Sequence, residues 1–311
     1  MRGEYLKKLK VYKKKCRQAR RQFREDLLTK LDDLHNKYPK EYWELVNKLR
    51  SQEPDSSNKI DPSEWLNYFT NLGKEENFKM PSNLDHIYRE CQRLEKIPNF
   101  SELDYKITEK EIMTALLQLK NNKSCGPDGI CNELLKYSTH VLLNPIIKLF
   151  NLIYTAGQYP SWWARGFIKP LHKKDNPLLA ENYRGITITS VIGKLFNSVI
   201  NNRIVNFLKK HKIMHDEQIG FQKKCRTSDH IFILKTLMDH YRKVSKSLFF
   251  CFVDFQKAFD SVSHICLFYK LLKLNFNGHV YRVIKSMNSQ IKLQVKVSDG
   301  LTEVQHRSAT G

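Results

Sequence analysis

One apolar run, Leu248–Val253 (LFFCFV), constrains the fold of this chain more than any other stretch of its sequence. Its aromatic and β-branched residues predict a strand that is buried on both faces. The run ends at Asp254, and a helix is predicted to begin near Ser263. A carboxylate at the exit of a buried strand is held rigidly and suits a hard cation, although the same aspartate could simply cap a turn. The residues alone leave both readings open.

The turn that follows this run could bind a second kind of ligand, a phosphate group. Lys257, Ala258 and Phe259 place a small residue and an aromatic where backbone amides could face phosphates. Spacing alone therefore supports a metal site or a phosphate site, without deciding between them.

The charge of the chain indicates a polyanionic partner. Its 311 residues include 53 Lys and Arg against 32 Asp and Glu, which gives a formal net charge of +21. Nucleic acid is favoured over a membrane, because no apolar run approaches the roughly 18 residues that cross a bilayer. The seven cysteines show no zinc-like spacing, which suits reduced thiols. We expect an intracellular protein without a secretory signal, since no apolar core follows the charged N-terminus.

The sequence divides near residue 100. Residues 1–100 read as a basic helical region, with eleven basic residues and one acid in 1–24. That basic helix is either a solvated surface or a nucleic-acid contact, and the residues leave both open. Asp61-Pro62 predicts the start of another helix. In residues 101–311, a capping box at Thr108 and a turn at 126–129 precede further helices and strands. The predicted helices are 130–138, 140–156, 191–210, 228–245, 263–274 and 278–289, and the predicted strands are 166–172, 248–253 and 291–297.

Four motifs in this order resemble the reverse transcriptases of non-LTR (LINE-type) retrotransposons. They are KNNKSCGPDGI (120–130), the segment 167–204 with NYRGI where that family normally has NYRPI, QIGFQKKCRTSDHI (218–231) and FVDFQKAFDSV (252–262). The resemblance implies an α+β fold. It would comprise an N-terminal helical arm, the fingers at about 101–247 and an incomplete palm at 248–311 of a right-hand polymerase. The rest of the palm and the thumb are expected to be missing.

The resemblance also implies a role for each matching residue. Asp254 and the backbone carbonyl of Phe255 would bind Mg²⁺, and Asp254 would be catalytic. The nucleotide, a deoxynucleoside triphosphate, would meet the fingers and the turn, and the template would meet the QIGF loop. The implied nucleotide-binding residues are Lys173, Arg184, Phe255, Gln256, Lys257, Ala258 and Phe259, and the implied template-contacting residues are Gln218, Gly220 and Phe221.

One feature of that family is absent from the printed sequence. Two-metal catalysis needs several carboxylates, which the family supplies from a later F/Y-A-D-D hairpin. The only Asp-Asp pair here is Asp32-Asp33, in the basic helical region. The expectation is therefore a truncated RNA-directed DNA polymerase that is inactive as this chain alone. The alternative is a non-enzymatic protein derived from a retroelement that binds RNA and single-stranded DNA. A basic scaffold for acidic proteins is a third reading, which would require the motif order to be coincidence.

Overall fold

The computed structural model of the chain describes residues 2–38, 41–43, 45–46, 59–72, 82–97, 101–223, 225–255, 258–259, 262–289, 291–297, 300–301 and 305–306. The chain divides into two compact units, 1–56 and 57–311. The helices are α1 (Arg2–Lys37), α2 (Pro62–Leu72), α3 (Leu84–Glu95), α4 (Glu109–Gln118), α5 (Asn132–Tyr137), α6 (Thr139–Ala156), α7 (Val191–Lys210), α8 (Thr227–Lys243), α9 (His264–Lys273) and α10 (His279–Ser289). The strands are β1 (Arg165–His172), β2 (Tyr183–Thr189), β3 (Lys292–Val297), β4 (Gly300–Leu301) and β5 (Gln305–His306).

The first unit contains the long basic helix α1. Lysine, arginine and leucine dominate its sequence, and these residues favour a helix. Pairs one turn apart support it, such as Arg21 Nε with Glu25 Oε1 at 3.0 Å. Most side chains described in α1 are exposed. The predicted basic helix is confirmed, while its contact with nucleic acid stays a prediction.

The second unit is built around a small mixed sheet in the order β2-β1-β3-β4, with β5 also pairing with β3. β1 and β2 form an antiparallel hairpin, whereas β3 lies parallel to β1. Helix α2 packs on one face of the sheet. Its Trp65 is fully buried against Tyr183 of β2, with ring centroids 4.9 Å apart, and Val295 of β3 belongs to the same cluster.

The main core lies among α4, α6, α7 and α10. The rings of Phe150 and Phe196 meet edge to face at 5.1 Å, and Ile112, Val199 and Val283 have no accessible surface. Burying each such side chain contributes about 1.5–3 kcal/mol to folding. This core fixes α7, whose first residue directly follows β2 and Ser190.

Local signals place the helix ends. Thr108 and Glu111 form the predicted capping box, in which Thr108 N donates to Glu111 Oε2 at 2.9 Å. Asp61 Oδ1 accepts from Ser63 N at 2.8 Å, directly before Pro62 opens α2. Gly157 ends α6 at φ 68°, a conformation that favours glycine. The predicted capping box and the predicted start of α2 are confirmed.

A smaller cluster joins α3, α9 and α10, and a cavity of about 280 Å³ lies among these helices. At the edge of this cavity, Glu95 accepts hydrogen bonds from Tyr281 Oη at 2.5 Å and from Lys285 Nζ at 2.7 Å. Burial favours the neutral form of Glu95, but these bonds hold its pKa below its ordinary value. The cluster ties α3 to helices of the segment 101–311. The separate role predicted for residues 1–100 stays a prediction.

The predicted strand at 248–253 is wrong. Residues 246–255 are irregular, and the side chain of Phe252 is 81% exposed. The apolar pattern indicated burial, but a strand also needs a neighbour for its backbone hydrogen bonds, and no described strand pairs with this segment. Strand β2 lies where the sequence had predicted no element, and helix α3 lies in the region predicted as helical without bounds for this helix. Within the described residues, no helix combines the length and apolar character needed to cross a membrane.

Candidate nucleic-acid interface

The β1–β2 hairpin carries two of the predicted site residues. Arg184 of β2 pairs with Leu171 of β1, and Lys173 N donates to Asn182 O at 2.9 Å just beyond the last strand pair. Because side chains alternate along a strand, Lys173 and Arg184 lie on the same face of the hairpin. Both are exposed. The structure therefore brings these two cations together on one solvent-facing surface.

The connection between the two strands is held by its own side chains. Asn176 Oδ1 accepts from Leu178 N at 3.0 Å, and Asn182 Nδ2 donates to Asn176 O at 2.9 Å. Tyr183 Oη donates to Pro177 O at 2.8 Å, which ties the loop to the start of β2. The loop thus holds Lys173 and Arg184 in position through hydrogen bonds of its own.

Gly185 lies where the motif of the resembled family has proline, and the structure gives a reason for a residue without a side chain at this position. A Cβ at this position would lie 2.7 Å from Phe69 Cε1 and 2.8 Å from Ile168 Cγ2. Phe69 belongs to α2, which packs on this face of the sheet. The departure from the family pattern therefore leaves room for α2 beside Arg184.

The predicted turn at 126–129 lies against the end of β2. A Cβ on Gly126 would be 2.6 Å from the carbonyl oxygen of Thr189 and 2.8 Å from the nitrogen of Ser190. Gly129 N donates to Gly126 O at 3.1 Å and closes the turn, with Gly129 at φ 69°. The sequence predicted the turn but missed its contact with the junction between β2 and α7. A glycine directly before proline was the available signal.

The QIGF segment forms a loop between α7 and α8, as predicted. Gln218 O accepts from Gln222 Nε2 at 2.6 Å, and Phe221 has φ 62° with its side chain 93% exposed. The Phe221 ring meets that of Phe259 edge to face, with centroids 6.0 Å apart. The predicted template loop and the predicted nucleotide turn are therefore in contact, through two exposed aromatic rings.

The comparisons with known proteins bear on this same region. Residues 171–306 match the family described as reverse transcriptase (RNA-dependent DNA polymerase). The match covers 136 of the 311 residues of the chain. Together with the retrotransposon proteins described next, this match confirms the predicted resemblance to polymerases of non-LTR retrotransposons.

Three fruit-fly proteins illustrate the similarity. The chain is 30% identical over 195 residues to a probable RNA-directed DNA polymerase from transposon BS of Drosophila melanogaster, covering 61% of this chain and 21% of that protein. It is 26% identical over 256 residues to the probable RNA-directed DNA polymerase from transposon X-element of the same species, covering 78% and 28%. It is 24% identical over 274 residues to the RNA-directed DNA polymerase from mobile element jockey of Drosophila melanogaster, covering 82% of this chain and 29% of that protein. The matches thus span less than a third of each relative.

Reverse transcriptases generally use divalent metal ions, and the resemblance assigns Asp254 to such an ion. Asp254 lies in the exposed irregular segment, followed by Phe255, which is also exposed. Gln256 and Lys257 lie outside the described residues, whereas Ala258 and Phe259 form part of an exposed turn. Within the described part of the chain, no three His, Cys, Asp or Glu side chains stand close enough to hold a metal. The described donors therefore do not fit a two-metal centre.

Proposed function

We propose that this chain forms the part of a retrotransposon RNA-directed DNA polymerase that receives the incoming nucleotide and the template. The observation that carries the proposal is the exposed pair Lys173 and Arg184 on one hairpin within the reverse transcriptase segment. Phosphoryl transfer places negative charge on the triphosphate, and fixed cations stabilise it. We assign RNA, single-stranded DNA and deoxynucleoside triphosphates as its ligands.

The remaining site residues have proposed roles on either side of this hairpin. Arg184 offers a planar guanidinium that can bind two phosphate oxygens at once, whereas Lys173 offers a point charge. The exposed ring of Phe259 stacks on the sugar of the nucleotide. Its neighbour Phe221 lines the template path, together with Gln218 and Gly220. The backbone amides of 256–259 approach the triphosphate.

We further propose that the 311-residue chain alone does not synthesise DNA. Asp254 and the Phe255 carbonyl are the proposed Mg²⁺ ligands, but a two-metal centre needs further carboxylates. Asp32 and Asp33 form the only adjacent aspartate pair of the sequence, and they lie on α1. The proposed division of labour gives residues 1–100 a basic helical role, 101–247 the fingers and 248–311 part of the palm.

Two measurements on the purified chain test this proposal. Binding of a fluorescent deoxynucleoside triphosphate analogue should weaken on Arg184→Ala and stay unchanged on Lys148→Ala, a lysine on the exposed surface of α6. Primer extension on a primed RNA, with Mg²⁺ and deoxynucleotides, should give no product. If the two variants bind the analogue equally well, Arg184 is not part of the nucleotide site. Extension that disappears on Asp254→Ala would overturn the proposed inactivity.

The placement of Asp254 favours one alternative, a retroelement-derived protein that binds nucleic acid without catalysis. An exposed carboxylate on an irregular segment lacks the rigid support that metal ligands usually have. This alternative predicts RNA binding together with no measurable triphosphate binding, even for the unmodified chain. The fluorescent analogue therefore separates the two proposals directly.

A further inference from the structure

Helix α6 is apolar on two opposite faces. Its 18 residues, THVLLNPIIKLFNLIYTA, include a single Lys, Arg, Asp or Glu, which is Lys148. The buried residues of the inner face, which belong to the main core, are Ile146, Phe150, Ile153 and Tyr154. The outward face is exposed, although it also consists largely of apolar residues. Because a helix that is apolar all round is normally buried on every side, the outward face of α6 indicates a partner that covers it.

The exposed apolar residues form a stripe that continues from α5 into α6, which we call the outer stripe. Ser138 N donates to Leu134 O at 3.1 Å and Ser138 O accepts from Leu142 N at 2.9 Å, so helical hydrogen bonds run through the junction of the two helices. The stripe repeats every three or four residues, the spacing at which side chains of a helix share one face. The outer stripe comprises Leu134, Tyr137, Val141, Pro145, Leu149 and Leu152. Pro145 is exposed, and the other five side chains are between 39% and 71% exposed.

The regularity of the outer stripe distinguishes it from ordinary surface apolar residues. Apolar side chains scattered singly over a surface are common and indicate no partner, whereas a contiguous patch marks a contact surface. From Leu134 to Leu152 the stripe extends about 27 Å, at roughly 1.5 Å for each helical residue. Anchors at this spacing are those with which one amphipathic helix packs against another. The outer stripe therefore matches the length and the spacing of a partner helix of about five turns.

The charges beside the outer stripe are positive. Lys148 lies on α6 at one edge of the stripe, and Asn151 follows it on the same side of the helix. Lys106 lies beside this edge as well, because Ile107 N donates to Asn151 Oδ1 at 2.7 Å and Ile107 O accepts from Asn151 Nδ2 at 2.9 Å. Both lysines are exposed, and neither forms an ion pair with an acidic residue that the structure describes. Residues 134–156 contain no Asp or Glu, so this edge has no acid of its own.

We propose that the outer stripe is a docking surface for an acidic amphipathic helix of a partner protein. The apolar side chains of the stripe pack against the apolar stripe of that helix, and its carboxylates lie beside Lys106 and Lys148. Charges that flank an apolar seam select the partner in this way. A second copy of the chain would bring the same lysines and no acid to the contact, and like charges across an interface disfavour it. The proposal adds a protein partner to the proposed function and does not depend on nucleotide or RNA binding.

The test is an anisotropy titration of the purified chain with a fluorescent synthetic peptide of about 18 residues, the length of the stripe. The peptide has leucine at every third or fourth position and glutamate on both flanks, and a scrambled peptide of the same composition measures charge attraction alone. The parent chain should bind the first peptide on the order of tenfold more tightly than the scrambled one, because only the first can bury its leucines together.

Two matched variants locate the binding surface. Val141→Ser/Leu152→Ser should weaken binding by on the order of ten- to a hundredfold, because it removes apolar groups that the peptide buries. The control Ile231→Ser/Phe232→Ser changes side chains of similar exposure on α8 and should leave the affinity unchanged. Thermal melts should show both variants folded, since all four side chains are exposed.

A third variant, Lys106→Gln/Lys148→Gln, tests the charge of the partner. It should weaken binding of the acidic peptide by roughly two- to tenfold at low salt and less at high salt, as expected for exposed ion pairs. The control Lys235→Gln/Lys243→Gln removes the same charge from exposed positions of α8 and should have a smaller effect.

Four results would overturn the proposal. Two concern the peptide: equal affinities for the ordered and the scrambled peptide, or equal losses in the stripe variant and its α8 control. In sedimentation, self-association that disappears in Val141→Ser/Leu152→Ser would assign the outer stripe to a second copy of the chain. Binding to phosphatidylcholine vesicles that disappears in the same variant would assign it to a lipid surface.

Discussion

Arg203 of α7 and Glu111 of α4 form a two-point ion pair in which the arginine is buried and the glutamate is partly exposed. Arg203 Nε lies 2.6 Å from Glu111 Oε1 and Nη2 lies 2.9 Å from Oε2, with the arginine side chain 1% exposed. The other guanidinium protons reach the carbonyl oxygens of Leu103, Tyr105 and Lys106. The pair fastens the segment before α4 to α7, the helix that directly follows the β1–β2 hairpin.

Removing Glu111 should destabilise the chain strongly. In Glu111→Ala the buried guanidinium loses its counter-charge, and breaking such a pair costs about 3–5 kcal/mol of unfolding free energy. The matched control is Glu90→Ala, whose partners Arg93 and Lys273 are both exposed, in contrast to the buried Arg203. That change should cost no more than about 1 kcal/mol. Urea unfolding of both variants checks this, and equal losses would contradict it.

The same pair should make stability depend on acid. Burial favours neutral Glu111, but hydrogen bonds from Arg203 and Thr108 hold its pKa below the ordinary value. The folded state therefore binds its proton less readily than the unfolded state. The stabilisation is fully present above the unfolded pKa of about 4.3 and is lost as pH falls through the folded pKa. Urea midpoints measured from neutral pH down to the acid limit should converge for the parent chain and Glu111→Gln below that window. A constant difference would contradict the assignment.

The turn beside the hairpin should tolerate no side chain at Gly126. A Cβ there would press on the backbone of Thr189 and Ser190, which cannot move as a side chain can. Gly126→Ala should lower the free energy of unfolding by about 1–3 kcal/mol. At Gly220 a Cβ would meet only the end of the Gln218 side chain, at 3.2 Å. Gly220→Ala should therefore stay within about 0.5 kcal/mol of the parent chain. Urea unfolding checks this prediction. A urea midpoint for Gly126→Ala that is not lower than the midpoint for Gly220→Ala would contradict it.

The exposed apolar segment should cause self-association. The side chains of Phe249, Phe252, Val253, Phe255 and Phe259 are all at least 74% exposed, and exposed apolar patches of this kind favour contact with other molecules. The sedimentation coefficient should rise with protein concentration, and Phe249→Ser/Phe252→Ser should reduce that rise. Leu117→Ser, an exposed position on α4, should leave it unchanged. A parent chain that stays monomeric at every concentration would contradict the prediction.

Local signals predicted much of this fold, and contacts distant in sequence account for what they missed. The helix predicted at 191–210 has the observed bounds, because its apolar period and Ser190 cap lie within the segment itself. The strand predicted at 248–253 failed because pairing depends on residues elsewhere in the chain. In the candidate site, Lys173 and Arg184 were named from a motif. The pairing of β3 with β1 beside this hairpin was missed, because the two strands lie more than a hundred residues apart in the sequence.

The basic helix α1 should supply contacts to single-stranded nucleic acid. Lys13, Lys14 and Lys15 are exposed consecutive lysines in a region with few acids to neutralise them. Replacing all three by glutamine should weaken oligo(U) binding and flatten the log–log salt slope by up to about 2, at about 0.7 for each phosphate that the helix no longer neutralises. The control replaces Lys110, Lys148 and Lys235 by glutamine. These three lysines are exposed on other helices, and their replacement removes the same net charge. Anisotropy titrations at three or more salt concentrations compare the two triple variants with the parent chain. Equal slopes for the two variants would mean that the charges of α1 only keep it solvated, since a change in net charge alone acts on both variants alike.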